Sequence, residues 1–511
     1  MSDASVASFT PQAATKKEWL GLAVLVLPTI LLALDMTVLH LAVSHLSKAL
    51  QPSSVQLLWI LDIYGFMIAG FLIVMGSLGD SIGRRRLLLI GAVAFGITSV
   101  IAAFSTSATM LIITRALLGI AGATLMPSTL SLIRNMFQVE SERTRAISVW
   151  MTGFIVGGAI GPIVGGFLLE YYWWGSVFLL AVPVMVFLII AGVYLLPEYR
   201  DEKATSIDYI SAVQLVLAML FLVYALKDIV RHGISMDILL VSTTGIGLML
   251  VFLRRQTLLT QPFLDLSLFS NRLFSAAVAT SMLTIMTLSG FWLMVYQFLQ
   301  GVVMLSPLQS ALVMLPAAIL QVIVAQIVPQ LFTKVRPIYP ITYGLLLAIM
   351  GFLLVVWAGR QASAVLLGVA AIVMGVGVMP IMIMTTDLVV GSVPEEKAST
   401  ASAVSETANE LGIALGVAII GSLASWVYQQ EIGAYLSALL TVNELYTAMA
   451  TLAGGIHVAG AVSAELSPYV LSVVQTAFSQ AMEFSAYFAA VILSFATCLA
   501  IWAFRSLKPI A

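Results

Sequence analysis

Apolar residues run through this chain in long blocks that are separated by short polar segments. The blocks are about 20 residues long, which is the length of helix that crosses a hydrocarbon layer of ~30 Å. Membrane β-strands would be about 10 residues long and would alternate in polarity, which these blocks do not do. We therefore predict an all-α membrane protein. The 14 predicted spans lie at residues 18–45, 55–78, 87–105, 109–134, 146–169, 174–196, 207–226, 236–253, 273–299, 308–332, 338–358, 363–390, 400–426 and 482–504.

Composition agrees with this prediction and excludes several functions. Only 9% of the 511 residues are charged and 61% are hydrophobic, whereas a soluble domain carries roughly 25% charged residues. The single cysteine, Cys498, excludes an intrachain disulfide framework, and the net charge of −1 indicates no particular partner. The sequence has no GxxxxGKS/T phosphate loop, no metal-type His/Cys spacing and no nucleophile elbow. We therefore expect no enzyme, no metal site and no nucleic-acid partner.

The basic residues predict how the spans are oriented. With 14 spans both termini lie on one side, and 18 of the 23 Lys and Arg residues then fall on that side. Four fall on the other side, and Arg115 lies inside a span. Because cytoplasmic loops carry the excess of Lys and Arg, we place both termini in the cytoplasm.

The stretch GSLGDSIGRRR at 76–86 concentrates charge in the turn between spans 2 and 3. Its arginines are expected to anchor the turn in the cytoplasm, but anchoring does not account for the glycines and the acid. The glycines would allow two helices to approach closely, and the acid could pair with an arginine or with a helix N-terminus. We therefore interpret the stretch as a conformational latch made of Gly76, Asp80, Gly83, Arg84 and Arg85.

Four stretches resemble signatures of the major facilitator superfamily. GSLGDSIGRRR is similar to its loop signature, and TRALLGIAGA, which contains Arg115, is similar to its second signature. GGAIGPIVGGFL at 157–168 resembles the signature of drug:proton antiporters. LDMTVLHLA at 34–42 resembles that of the 14-span drug antiporters, with His40 in place of the usual asparagine. With WILDIY and AVSETANELG, the chain looks closest to multidrug pumps of the QacA and SmvA type, which export quaternary ammonium compounds and viologens.

This resemblance implies a major facilitator fold with its 14 helices arranged as 6 + 2 + 6. A cytoplasmic tail (1–17) would precede an N-terminal six-helix bundle (18–200), two inserted transmembrane helices (201–260) and a C-terminal six-helix bundle (261–511). The bundles would rock about a central cavity to give alternating access. Within the last bundle, residues 427–481 are expected to form an extracytoplasmic loop hairpin.

Four acids and one base lie inside predicted spans, where a charge costs at least ~2.5–3.5 kcal/mol. They are Asp35, Asp62, Glu406, Glu410 and Arg115. At most one acid can be neutralised by direct pairing, so the others would be protonated part of the time or face water and a cationic ligand. We predict proton coupling by Asp35 and Arg115, and cation attraction by the other three acids. The alternatives are hydrogen bonding between helices without a transport role and, for the arginine, a structural hub for backbone carbonyls.

A row of glycines in span 5 predicts close helix packing. Gly157, Gly161 and Gly165 stand at four-residue spacing, and Pro162 bends the same helix. One interpretation is packing alone. The other is that these four residues form an antiporter seam, which slides between the bundles and keeps protons from leaking.

Aromatic and methionine side chains provide candidates for a cation-binding surface. Organic cations bind to aromatic faces, and flexible methionines, of which the chain has 24, suit promiscuous apolar pockets. The aromatic candidates are Trp59, Tyr64, Trp150, Trp292, Tyr296 and Tyr343. From this set we predict substrate contacts by Trp59, Tyr64, Trp292 and Tyr296.

Together these features predict a proton-coupled antiporter that exports lipophilic organic cations, such as quaternary ammonium biocides, viologens and dyes. A carboxylate that binds either a proton or a cation couples the two by competition. The expected setting is the lipid bilayer of a bacterial cytoplasmic membrane, with a monomeric chain and no cofactor other than the coupling proton. The alternatives are an exporter or uptake symporter of another small metabolite on the same fold, and a membrane receptor that transports nothing.

Overall fold

The computed structural model describes residues 13–200, 208–232, 235–259, 262, 266–332, 335–393, 398–505 and 507. Over these ranges the ordered elements are all helices, which confirms the predicted all-α fold. The first six predicted spans are formed by α1 (Lys16–Leu50), α2 (Ser54–Ile82), α3 (Arg84–Ala103), α4 (Ala108–Met136), α5 (Glu140–Tyr171) and the pair α6 (Ser176–Leu179) and α7 (Ala181–Leu195). Most of the predicted tail 1–17 lies outside the described residues.

Two further helices precede the second bundle. They are α8 (Tyr209–His232) and α9 (Met236–Leu258). After a 3₁₀ turn at Leu266–Ser270, the second bundle consists of α10 (Arg272–Gly301), α11 (Pro307–Phe332), α12 (Ile338–Gln361), α13 (Ala364–Gly391), α14 (Ala398–Leu436), α15 (Val442–Ala450), α16 (Leu452–Ala461) and α17 (Ser467–Phe504).

Twelve described helices are long and apolar enough to cross a membrane. A thirteenth, α2, qualifies if its segments Ser54–Leu61 and Ile63–Leu72, which are bent by 43° relative to each other, are counted as one span. The remaining predicted span corresponds to α8, in which Tyr209–Ala225 is a shorter apolar helix. Twelve or more spans are therefore confirmed, and the count of 14 stays a prediction.

The segment 427–481 is helical over most of its length. Helix α14 continues to Leu436 and α17 begins at Ser467, so both helices extend beyond the predicted span ends at 426 and 482, and the extracytoplasmic placement of the segment stays a prediction. The added turns are favourable because they bury apolar side chains, including Val470 and Val474. Two short helices, α15 and α16, occupy the space between them, and the Tyr428 hydroxyl donates a hydrogen bond of 3.0 Å to the Ala448 carbonyl.

The two bundles touch each other near one end of the molecule. We call the end at which α1 begins the terminal end, and the end at which α1 meets α2 the opposite end. Near the opposite end, the Gln300 amide donates to the Leu41 carbonyl at 3.0 Å and the Gln429 amide donates to the Ser54 hydroxyl at 2.9 Å. Gly166 of α5 packs directly on the backbone of α11 there. Helices α2 and α14 also lie in contact across the interface between the bundles.

Helix α8 packs against α2 and α14 where those two helices meet, and α9 packs on α8. One buried apolar cluster joins all four helices through Phe66, Met219, Phe252 and Ala418. Asp208, just before α8, accepts a hydrogen bond of 3.0 Å from Arg255 near the end of α9. Burial disfavours the charged form of Asp208, but hydrogen bonds from Arg255 and Ser211 outweigh this cost and hold its pKa below the ordinary value. The Asp208–Arg255 pair thus connects the beginning of α8 to the end of α9.

Candidate transport site

Asp35 and Arg115 form an ion pair in the core of the first bundle. Arg115 Nη1 lies 2.7 Å from Asp35 Oδ2, and the exposed fractions of the two side chains are 1% for Arg115 and 12% for Asp35. The arginine also donates to the Ile60 carbonyl at 3.3 Å, and its guanidinium carbon lies 4.4 Å from the centre of the Tyr64 ring. Arg115 is thus both the partner of an acid and a hub for a backbone carbonyl, so the two sequence interpretations are compatible.

Glu406 and Glu410 stand one helical turn apart on α14 and interact electrostatically. The Glu406 side chain is accessible although protein atoms surround it, as expected for a residue that lines a concave space. Glu410 is buried, with 7% of its surface exposed, and its Oε2 has no hydrogen-bond partner among the described residues. A buried carboxylate oxygen without a partner favours a bound proton, water or ligand.

Asp62 lies at the bend of α2, between its two apolar segments. The side chains of Asp62 and of the latch residue Asp80 lie outside the part of the structure that is described. Their predicted contacts therefore stay predictions.

A cavity of about 320 Å³ lies between the bundles. Residues of α1 and α5 form one wall, and residues of α10, α11 and α13 form the other. Its lining comprises Thr37, Phe154, Gly158, Ala159, Pro162, Trp292, Tyr296, Ala311, Met314, Leu315, Ala318, Gln321, Val322 and Met379. This volume is within the range of sites for drug-sized ligands.

Two of the four aromatic residues predicted to contact substrate line this cavity. Trp292 and Tyr296 stack with ring centroids 6.0 Å apart and planes 25° apart. Trp59 packs instead against the apolar cluster of the inserted helices, and Tyr64 lies under Arg115. None of the membrane acids is among the cavity-lining residues described. Among the described side chains, the aromatic surface is therefore separate from the carboxylates of Asp35, Glu406 and Glu410.

The glycine row packs α5 against α1. A Cβ atom at Gly157 would overlap the Ile30 carbonyl oxygen, one at Gly161 would overlap the Thr37 hydroxyl, and one at Gly165 would lie 2.7 Å from Val38. Both helices belong to the first bundle, so these three glycines pack within that bundle, as the packing interpretation expects, and the interpretation of span 5 as an antiporter seam stays a prediction. Other residues of α5 face the second bundle.

Those other residues include Gly158 and Pro162, which line the cavity, and Gly166. A Cβ atom at Gly166 would lie 3.0 Å from the Leu308 Cα of α11. Sequence reasoning missed this contact because a glycine row marks close packing but does not identify the partner helix. In the second bundle, Gly412 and Gly416 pack in the same way, against Met282 and Met286 of α10.

Residues of the predicted latch contact the segment that follows α7. Glu198 accepts a hydrogen bond of 3.1 Å from the Arg85 backbone N–H, and its carboxylate lies 3.6 Å from Arg85 Nε. The Arg84 N–H donates to the Tyr199 carbonyl at 2.8 Å. Gly83 has a φ of 110°, and a Cβ atom there would lie 2.6 Å from Glu198 Oε1, so glycine is required twice over.

The structure differs from the predicted latch at one glycine and adds one acid to it. The close approach predicted for Gly76 is made by Gly79 instead, whose Cβ would lie 2.9 Å from Arg84 Cδ, whereas the nearest atom to Gly76 is at an ordinary 3.9 Å. Glu198 was not predicted, although it is the first acid after the long apolar run of α7.

Bundles of helices packed around a central cavity, with an ion pair inside one bundle, define a membrane transporter fold. Residues 25–417 match the Major Facilitator Superfamily, and the chain belongs to that superfamily. Solved structures agree in fold: a bacterial homologue of the human lysosomal transporter Spinster, inward-facing and unoccupied, superposes with a TM-score of 0.68 at 16% identity, covering 98% of this chain and 100% of that one.

Curated relatives extend over nearly the whole chain. The chain is 38% identical over 489 residues to the multidrug efflux pump LfrA of Mycolicibacterium smegmatis, covering 96% of this chain and 97% of that protein. It is 34% identical over 466 residues to the methyl viologen resistance protein SmvA of Salmonella typhimurium, covering 90% and 93%. The resemblance to multidrug efflux transporters is therefore confirmed at the level of the family and its relatives.

Proposed function

We propose that this protein is a proton-coupled antiporter that exports lipophilic organic cations, within the 14-span QacA and SmvA type of drug antiporters. It would act as a monomer in a bacterial cytoplasmic membrane, with both termini in the cytoplasm. The relatives support the substrate class, because their names include multidrug efflux and methyl viologen resistance.

One observation carries the coupling part of this proposal. Asp35, the acid paired with Arg115, stands on α1 two residues before Thr37, which lines the cavity between the bundles. Binding in the cavity and proton exchange at Asp35 therefore act on the same turn of one helix. A carboxylate that exchanges its partner, whether arginine, proton or cation, can couple the two events by competition.

The arrangement of the bundles supports alternating access. If the termini are cytoplasmic, the contacts at Leu41, Ser54 and Gly166 close the molecule on its outer side. Substrate would then enter from the cytoplasm and leave after these contacts separate. The described residues that line the cavity are uncharged, which favours lipophilic substrates over a polar nutrient.

The test is export of ethidium from preloaded cells, with and without a protonophore. We expect wild-type export to stop when the protonophore is added, and Asp35→Asn to export little at any proton gradient. The control is Glu465→Gln, which neutralises an exposed acid in a turn and should behave as wild type. Normal export by Asp35→Asn would contradict the assignment of Asp35, and export that ignores the protonophore would contradict proton coupling.

A further inference from the structure

Among the described residues that line the cavity between the bundles, none carries a charged side chain. The stacked pair Trp292 and Tyr296 contributes an aromatic surface to this lining. Such a surface attracts any lipophilic or aromatic body, so it supplies affinity but little discrimination. Discrimination in an apolar pocket comes from its few polar groups.

Besides the indole of Trp292, three side chains with hydrogen-bonding groups are among the described residues that line the cavity, namely Thr37, Tyr296 and Gln321. The Thr37 hydroxyl lies 3.2 Å from the Ala33 carbonyl and 3.1 Å from the Leu34 carbonyl of its own helix. The Tyr296 hydroxyl is buried without a partner among the described residues, and only 1% of that residue's surface is exposed.

The third polar side chain is Gln321 of α11, at the wall facing the first bundle. Gly375 of α13 makes room for it: a Cβ atom at that position would lie 2.5 Å from Gln321 Nε2 and 2.6 Å from its Cγ. Any larger residue at 375 would therefore push the amide away. Because Gly375 has no side chain, it allows the Gln321 amide to keep its position beside the cavity.

Leaving a buried polar group without a partner is costly, and proteins rarely do so unless water or a ligand completes the bond. We propose that, among the lipophilic cations it binds, the cavity prefers those that carry a hydrogen-bonding group, with Tyr296 and Gln321 as partners of that group and Gly375 as the residue that positions Gln321. The inference rests on the proposed function and refines it. Cations with amino or similar groups on an aromatic body would be bound in preference to cations that have no such group.

The test compares two monovalent lipophilic cations. Ethidium carries aromatic amino groups, and tetraphenylphosphonium has no hydrogen-bonding group. Equilibrium binding of each is measured on the purified full-length protein in detergent, for wild type, Tyr296→Phe, Gln321→Leu and Gly375→Ala. Loss of one neutral hydrogen bond should weaken ethidium binding about two- to tenfold in each variant and leave tetraphenylphosphonium binding unchanged.

Met314→Leu is the matched control, because it changes the shape of the same lining without removing a hydrogen-bonding group. It should not distinguish between the two cations. Equal weakening of both cations in the Tyr296 and Gln321 variants, unchanged ethidium binding, or no binding of either cation by wild type would overturn the inference. Selective loss of ethidium binding would support it even if export proved insensitive to a protonophore, so this inference and the proposed coupling can fail separately.

Discussion

At the scale of single residues, the central feature of the first bundle is the buried ion pair between Asp35 and Arg115. Two charges buried together stabilise a fold little in net terms, whereas removal of one partner leaves the other charge uncompensated. Tyr64 covers the arginine from one side, and the Ile60 carbonyl accepts a hydrogen bond from its Nε–H group. The pair is therefore held in one geometry, and any proton or cation that reaches Asp35 must compete with a fixed guanidinium.

This geometry predicts a non-additive effect on stability. Arg115→Gln and Asp35→Asn should each lower the free energy of unfolding by about 3–5 kcal/mol, because each leaves a buried charge alone. The double variant removes both charges and should recover at least half of the loss. Denaturant unfolding in mixed micelles measures all four proteins. Additive losses in the double variant would show that the two side chains do not depend on each other.

At the scale of elements, the packing of α5 on α1 determines the shape of the first bundle. Gly157 is in contact with backbone atoms of Ile30, which cannot move without displacing the helix. Its neighbour Gly158 faces the cavity, and a Cβ atom there would meet nothing within 4 Å. Two adjacent glycines of one helix thus have different physical roles.

Alanine substitutions should separate those roles. Gly157→Ala should lower stability by about 1–3 kcal/mol, the usual cost of overpacking, since α1 and α5 must move apart. Gly158→Ala should leave stability within about 0.5 kcal/mol of wild type. Thermal unfolding of the two purified variants in the same detergent is the measurement. Equal unfolding midpoints for the two variants would mean that α1 and α5 do not pack as closely as the structure shows.

At the scale of the whole molecule, the bundles join near the opposite end and enclose the cavity. Alternating access requires these contacts to break in each cycle. The bond between the Gln429 amide and the Ser54 hydroxyl lies at the junction of α2 and α14, and it offers a way to hold the junction shut.

Cross-linking tests this requirement. In a Cys498→Ser background, which removes the natural cysteine, Ser54→Cys and Gln429→Cys are joined by a cleavable bifunctional thiol reagent. Export should fall to background after cross-linking and return after cleavage. Each single-cysteine protein treated in the same way should export normally. Undiminished export by the cross-linked protein would show that this end does not open during transport.

The sequence predicted the helical fold and the superfamily well, because length and apolarity of spans are local properties. It predicted the Asp35–Arg115 pair as a hypothesis, since a buried arginine needs an acid and few were present. It did not predict Gln321 or Gly375, because an amide and a glycine in apolar spans carry no signal until a cavity lies beside them.

Contacts between distant segments could not be derived from the sequence. The glycine row of α5 indicated close packing, but the partner of a small-residue ridge is decided by tertiary packing, and here that partner is α1. Helices α14 and α17 extend beyond the predicted spans, and the added turns of α17 bury side chains such as Val470 and Val474 against other helices.

The central claim is that a buried carboxylate exchanges a proton for an organic cation. The most direct test adds tetraphenylphosphonium to the purified protein in weakly buffered detergent solution, with a pH indicator to count released protons. The account predicts that cation binding by wild type releases protons and that the double variant Asp35→Asn/Arg115→Gln releases fewer. Tight cation binding by wild type with no proton release over the pH range 5 to 9 (about two units on either side of neutrality) would contradict it.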